Sequence, residues 1–244
     1  MQYGCNYGTI ECKWAGDSSH ELPKKPKSIK KQTAQLLWWK EKIGQVLLAN
    51  VTPALIVSCR EELNHGSTVR GEKRSSATVN RYLAILSHLF TVAAREWQLI
   101  TDSPMKKVAK LKEPRGRDRT LNTSELQRLL LACKQSPSPL LYLFVKIALA
   151  TGARQNEILT LKWADIDLQT GKAILRETKN GRIRTLHFSL GIVSLLSQQS
   201  ELSQKKSTFV FQGKRPNKPA VLRYAWDAAL NDAQIVDFRI HDMR

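Results

Sequence analysis

The 244 residues carry 39 Lys and Arg against 21 Asp and Glu, a formal charge of +18. Hydrophobic residues make up 42% of the chain, which excludes wholesale disorder, and no apolar run approaches the roughly 18 residues of a membrane helix. The four cysteines (Cys5, Cys12, Cys59, Cys133) are widely spread, which argues against a disulfide framework and for reduced thiols in the cytoplasm.

Residues 1–22 show no periodicity and read as a poorly specified tail. They do not start with a basic stretch followed by an apolar one, so no secretory leader is expected. Cys5, Cys12 and His20 lack the paired short spacing of a zinc site, and no metal is expected there. Lys24, Lys25, Lys27, Lys30 and Lys31 follow as a basic arm, suited to a phosphate backbone or to a solvated linker. A helix is predicted over 28–48, with Leu36, Leu37, Ile43 and Leu47 on its apolar side and Trp38 and Trp39 adding bulk. Thr52-Pro53 starts a second helix that runs to about residue 64, Thr as cap and Pro in the first turn. After a polar loop, Ser75 or Ser76 caps a third helix with Val79, Leu83, Leu86, Phe90 and Ala93 on one face and Arg81 elsewhere. Residues 24–104 thus read as a small helical domain.

Residues 105–119 read as a basic linker. They hold Lys106, Lys107, Lys110, Lys112, Arg115, Arg117 and Arg119 against Glu113 and Asp118, and Pro114 and Gly116 break any helix. A second domain, 120–244, opens with Asn122 three residues before Glu125, the signature of a capped helix. Leu126, Leu129, Leu130 and Cys133 give that helix its apolar face. Residues 140–150 form a strongly apolar helix that ends at Thr151-Gly152-Ala153-Arg154, and another short helix covers 155–161. The period then changes. Residues 172–178 and 182–188 flank Lys179-Asn180-Gly181, and Asn-Gly between β-prone runs predicts a hairpin. Helices return over 189–199 and 221–233, and 240–244 reads as the first turn of one more.

The charge excess is spread over both domains, +10 over 1–119 and +8 over 120–244. In a soluble chain that field favours a nucleic-acid partner. Arg154 stands in Thr-Gly-x-Arg-x-x-Glu with Glu157. Lys179 follows 25 residues later at the hairpin turn, His241 62 residues after that, and Arg244 closes a His-x-x-Arg motif. In this order and at these spacings the chain resembles the tyrosine recombinases of the phage-integrase type, over about residues 24–244.

The resemblance implies a mainly α fold with a small β-hairpin or sheet, arranged as a two-domain DNA clamp. A helical, SAM-like core-binding domain would be joined to a tyrosine-recombinase catalytic domain. It implies DNA integration and site-specific recombination of mobile elements, by cleavage and rejoining through a 3′-phosphotyrosyl link. Arg154 and Arg244 would clamp the phosphate, whose non-bridging oxygens gain charge in the transition state. Lys179 would protonate the leaving 5′ oxygen, His241 would serve the phosphate or the nucleophile, and Glu157 would orient Arg154. No cofactor or metal is implied, since the covalent protein–DNA link conserves the phosphodiester energy. Lys24, Lys25, Lys27, Lys30, Lys31, Arg81, Lys106, Lys107, Lys110, Arg115, Arg117 and Arg119 are the charge-based candidates for the DNA backbone, and the partner is double-stranded DNA.

The family's nucleophilic Tyr lies beyond the His-x-x-Arg motif, whereas Tyr3, Tyr7, Tyr82, Tyr142 and Tyr224 all precede it. On sequence alone the catalytic domain therefore reads as incomplete at its C-terminus. The alternative is a truncated, catalytically dead recombinase that only binds DNA. Family members act as tetramers on DNA, and this chain is expected to be a monomer. A fragment of residues 120–244 is expected to be marginally stable; a cooperative melt without binding of a hydrophobic dye would contradict this.

Overall fold

The computed structural model describes residues 29–68, 71–176, 183–202, 207–215 and 217–244. The chain divides into two compact units between Arg115 and Gly116. Among the described residues no helix is long and apolar enough to cross a membrane.

The first unit is built on α1 (Ile29–Ile43), α2 (Pro53–His65) and α3 (Ser76–Arg95). Helix α1 is shorter than the apolar pattern implies. It stops at Gly44, whose amide still reaches the Lys40 carbonyl at 2.8 Å. A β-carbon on Gly44 would stand 2.3 Å from that oxygen, so only glycine turns the chain here. Leu47 therefore falls outside the helix, and Leu37 faces solvent; both are exposed. The buried stripe is Trp39 and Ile43, one turn apart, and they join Ile56 and Cys59 of α2 and Leu83, Leu86 and Phe90 of α3. The indole of Trp39 donates to the Tyr82 carbonyl at 2.8 Å, so its polar atom is satisfied inside the core. Helices α2 and α3 start as their caps require: Thr52 Oγ1 accepts from the Leu55 amide and Ser75 Oγ from the Thr78 amide.

The first part of the expected linker is strapped to this unit. Met105 and Val108 pack on its core. Arg60 donates to the Ala109 carbonyl at 2.7 Å. Asn80, 7% exposed, donates to the Leu111 carbonyl and accepts from the Leu111 amide, both at 2.9 Å, and its amide also reaches Glu113 at 2.7 Å. One side chain thereby stands in for a neighbouring strand.

The second unit contains α4 (Thr123–Gln135), α5 (Pro139–Thr151), α6 (Gln155–Leu159), β1 (Ile166–Asp167), β2 (Lys172–Leu175), β3 (Arg184–His187), α7 (Leu190–Leu202) and α8 (Arg223–Asp232). The capping box at α4 is complete: Asn122 Oδ1 accepts from the Glu125 amide at 2.8 Å, and Glu125 Oε2 from the Asn122 amide at 3.0 Å. The sheet is antiparallel in the order β1-β2-β3, with Ala173 opposite Leu186 and Leu175 opposite Arg184. Residues 177–182, with the predicted turn at 179–181, lie outside the described residues, and β1 is an addition the sequence reading lacks. Ala173, Leu175 and Leu186 face a core with Phe144 of α5, Phe211 and Trp226 of α8. Phe144 and Phe211 meet edge to face at 6.0 Å. Cys59 and Cys133 are free and buried, one in each unit, and burial pushes the Cys133 thiol up to about 12.

Replacing Asn80 by Ala should cost about 1–3 kcal/mol, because it strands half-buried backbone groups at Leu111. Faster hydrogen exchange at the Leu111 amide, with little change at the α4 amides, is the outcome that checks the strap.

Candidate active site

Helix α5 must stop before its apolar face runs out into solvent, and Gly152 stops it. Its φ is +57°, a left-handed cap whose amide bonds the Ala148 carbonyl at 2.9 Å. Thr151 Oγ1 donates to the Ile147 carbonyl at 2.7 Å and accepts from the Ala153 amide at 3.2 Å. Ala153 is buried, and the chain turns so that Arg154 becomes the first residue of the next helix start.

Glu157 then closes on Arg154 twice. Its Oε2 accepts from the Arg154 amide at 3.0 Å and its Oε1 from the Arg154 guanidinium at 2.7 Å. The Glu157 side chain is 5% exposed and that of Arg154 34%. Burial pushes the Glu157 carboxyl up, but the Arg154 amide, its guanidinium and the charge of Arg184 hold it below the usual carboxylate range. Glu157 is therefore ionised and fixes one corner of the guanidinium. Arg154 retains N–H groups for an incoming anion.

Two further arginines reach the same turn. Arg184, on β3, donates to the Thr151 carbonyl at 2.9 Å, meeting one of the unpaired carbonyls at the end of α5. Arg244 lies over Gly152: a β-carbon there would come within 3.7 Å of Arg244 Cγ. His241 belongs to a 3-10 turn, Ile240–Met243, which Arg244 follows directly, rather than to the α-helical turn expected from the sequence. Asp242 caps this turn by accepting from the Arg239 amide at 2.9 Å. Ile240 and Met243 pack on the core, leaving His241 and Arg244 exposed.

The segment from α8 to that turn has no regular structure and carries positive φ at Gln234 and Asp237. Arginines from the start of the unit grip it. Arg128 Nε donates to the Ala233 carbonyl at 2.9 Å. Arg117 donates to Asp237 Oδ1 at 2.8 Å, to the Asp237 carbonyl at 2.6 Å and to Asp242 Oδ2 at 3.0 Å. Arg119 pairs with Glu125 and lies 5.9 Å from the centre of the Phe238 ring. That pairing, with the Asn122 amide, brings the Glu125 carboxyl down to about 2.

The structure thus brings Arg154, Glu157 and Arg244 to one turn, with His241 beside Arg244. Lys179 lies outside the described residues, as do Lys24, Lys25 and Lys27. Lys30, Lys31, Arg81, Lys106, Lys107, Lys110 and Arg115 are exposed, Lys106 being paired with Asp102 at 2.6 Å. Arg117 and Arg119 are engaged by carboxylates of their own unit. Arg184 and Asp242 went unnoticed in the sequence. Asp242 was legible as an acid three residues after Arg239, whereas an Arg on a short strand reads as an ordinary solvated charge. Among the described residues no group of three His, Cys, Asp or Glu could hold a metal.

Glu157→Ala should destabilise the second unit by about 1–3 kcal/mol, since it removes a helix cap and leaves Arg154 without its counter-ion; a urea melt followed by unit-2 signals measures it. The lowered carboxyls of Glu125, Glu157, Asp237 and Asp242 all contribute stability above their unfolded pKa values and lose it as pH falls. For Glu125 the window runs from 4.5 down to about 2. The melting temperature should fall across it, and Glu125→Gln should flatten that part of the profile.

Residues 119–244 match the phage integrase family. The shufflon-specific DNA recombinase of Escherichia coli is 35% identical over 174 residues, covering 71% of this chain and 43% of the relative. The integrase of Salmonella phage P22 is 25% identical over 264 residues, covering 95% of this chain and 65% of the relative. The chain spans less than two thirds of either relative's length. In fold it is similar to the Tn1549 transposon integrase in complex with a circular intermediate DNA, at a TM-score of 0.75 and 13% identity, over 97% of this chain and 84% of that one. With nearly the whole second unit matched and the arginines of its two motifs gathered on one turn, the chain belongs to the phage integrase family of tyrosine-type recombinases.

Proposed function

We propose that the chain binds duplex DNA and holds one phosphodiester at the turn shared by Arg154 and Arg244, as part of a recombinase that breaks and rejoins strands. The observation that carries this reading is the arginine pair itself. Arg154 is fixed by a buried carboxylate and Arg244 rests on the left-handed Gly152 of the same turn. One guanidinium fixed before the substrate arrives, with a second arginine on the same turn, suits a phosphate whose oxygens gain negative charge during displacement, because the fixed donor needs no rearrangement at that moment.

In the proposed reaction a tyrosine hydroxyl attacks phosphorus. The bond to the 5′ oxygen breaks, and that oxygen takes a proton from Lys179. His241, exposed beside Arg244, is assigned to the phosphate oxygen or to the nucleophile's proton. Glu157 keeps Arg154 in place and touches no reacting atom. The 5′ hydroxyl of a second strand reverses the step, so no cofactor enters. Off DNA the chain is a monomer in this reading, and pairing of sites is left to assembly on DNA.

The charge of +18 sets the test. Binding to a mixed-sequence duplex, followed by anisotropy, should weaken by about 10³-fold or more between 50 and 200 mM salt if some six or more phosphates are contacted. Arg244→Ala should lower the slope of log K against log salt by about one with the fold intact. Affinity that does not respond to salt would exclude the reading.

A further inference from the structure

By charge alone Arg117 belongs with the phosphate contacts of a basic segment. Its surroundings say otherwise. Its guanidinium meets three acceptors: the Asp237 carboxylate, the Asp237 carbonyl and the Asp242 carboxylate, all within 3.0 Å. These acceptors bracket the irregular stretch that delivers His241 and Arg244. Asp242 is 10% exposed, sits between those two residues in sequence, and caps their turn through the Arg239 amide. Asp237 has a φ of 50°, a conformation that a β-carbon disfavours and that persists only where something holds it. Arg117 holds it by both its side chain and its main chain.

Charge adds a second reason. Without Arg117 two carboxylates would face each other beside a site that must attract a phosphate. A planar fork can satisfy three acceptors at once, whereas a lysine offers a point charge without that geometry.

We infer that Arg117 is a positioning residue for the His241–Arg244 turn, acting through Asp242 and Asp237, and not a contact to the DNA backbone. This rests on the reading of that turn as the phosphate site. Arg117 approaches no reacting atom in this assignment. It fixes where the turn stands and cancels the carboxylates behind it.

The full 244-residue chain carries its own reporters. Met243 lies in the turn, and Met105 packs in the first unit as an internal control. In methyl-labelled and histidine-labelled protein, Arg117→Gln and Arg117→Lys should both move the Met243 methyl and His241 ring signals and leave Met105 in place. On an Arg244→Ala background, which removes the turn's own phosphate contact, both substitutions should leave the slope of log K against log salt on a mixed-sequence duplex unchanged. A phosphate contact gives the opposite pattern. Gln would lower the slope by about one, Lys would restore it, and the turn's signals would stay put. Either the lowered and restored slope or the unmoved signals overturns the inference. Asp242→Asn, which leaves Arg117 intact, should move the same two signals and, on the Arg244→Ala background, leave the slope unchanged, and it decides the matter if the Arg117 variants fail to fold. Should the wild-type chain not bind the duplex at all, the proposed function fails by itself, and the methyl and ring signals alone decide whether Arg117 positions the turn.

Discussion

A carboxylate buried away from water has to be met by donors or give up its charge, and Glu157 is met on both oxygens by one residue, Arg154. This pairing does two jobs in the same few atoms. It caps α6 and it aims a guanidinium. The cap needs α5 to end three residues earlier, which the left-handed Gly152 provides. The same turn then presents the Thr151 carbonyl to Arg184 and the Gly152 backbone to Arg244. Secondary structure and site are therefore one construction: shifting the end of α5 by a residue would misplace the arginine, its carboxylate and the platform beneath Arg244 together.

Features set by local chemistry were legible in the sequence. Thr52, Ser75 and the Asn122–Glu125 box each cap the helix their residue types announce, and the β-prone runs around Asn180-Gly181 predict the pairing of β2 with β3. Features set by distant partners were not. Trp39 rather than Leu37 fills the core because Ile56, Leu83 and Leu86 lie on that side, which the α1 pattern does not contain. Nothing in the local sequence marks Asn80, whose partners Leu111 and Glu113 lie more than thirty residues away. The turn at 240–243 continued the helical appearance of its sequence, but Asp242 answers the Arg239 amide and closes a tighter 3-10 turn. In the site, Arg154, Glu157 and Arg244 stood out through their motifs, while Arg184 is defined by a carbonyl 33 residues away and left no local mark.

The large positive charge also has to be divided. A net +18 suggests a surface of free cations, yet several arginines work inward. Arg60 and Arg128 donate to main-chain carbonyls, and Arg117 and Arg119 neutralise carboxylates of their own unit. Lys30, Lys31, Arg81, Lys107, Lys110 and Arg115 remain exposed. A guanidinium's fork geometry suits it to the first task as well as to phosphate binding, so in a basic protein the count of arginines overstates the surface open to DNA.

Gly152 has a consequence for how such a chain tolerates mutation. Its positive φ penalises any residue with a β-carbon, whereas the space around it does not: that β-carbon would meet Arg244 Cγ at 3.7 Å, an ordinary van der Waals contact. The cost of a substitution is therefore one of backbone strain, at the turn that leads into Arg154 and Glu157. At most sites a stabilising change elsewhere can compensate a destabilising one, which lets sequences drift. Here the penalty is conformational and Arg244 has room to stay where it is, so a second-site change that adds stability elsewhere can suppress it.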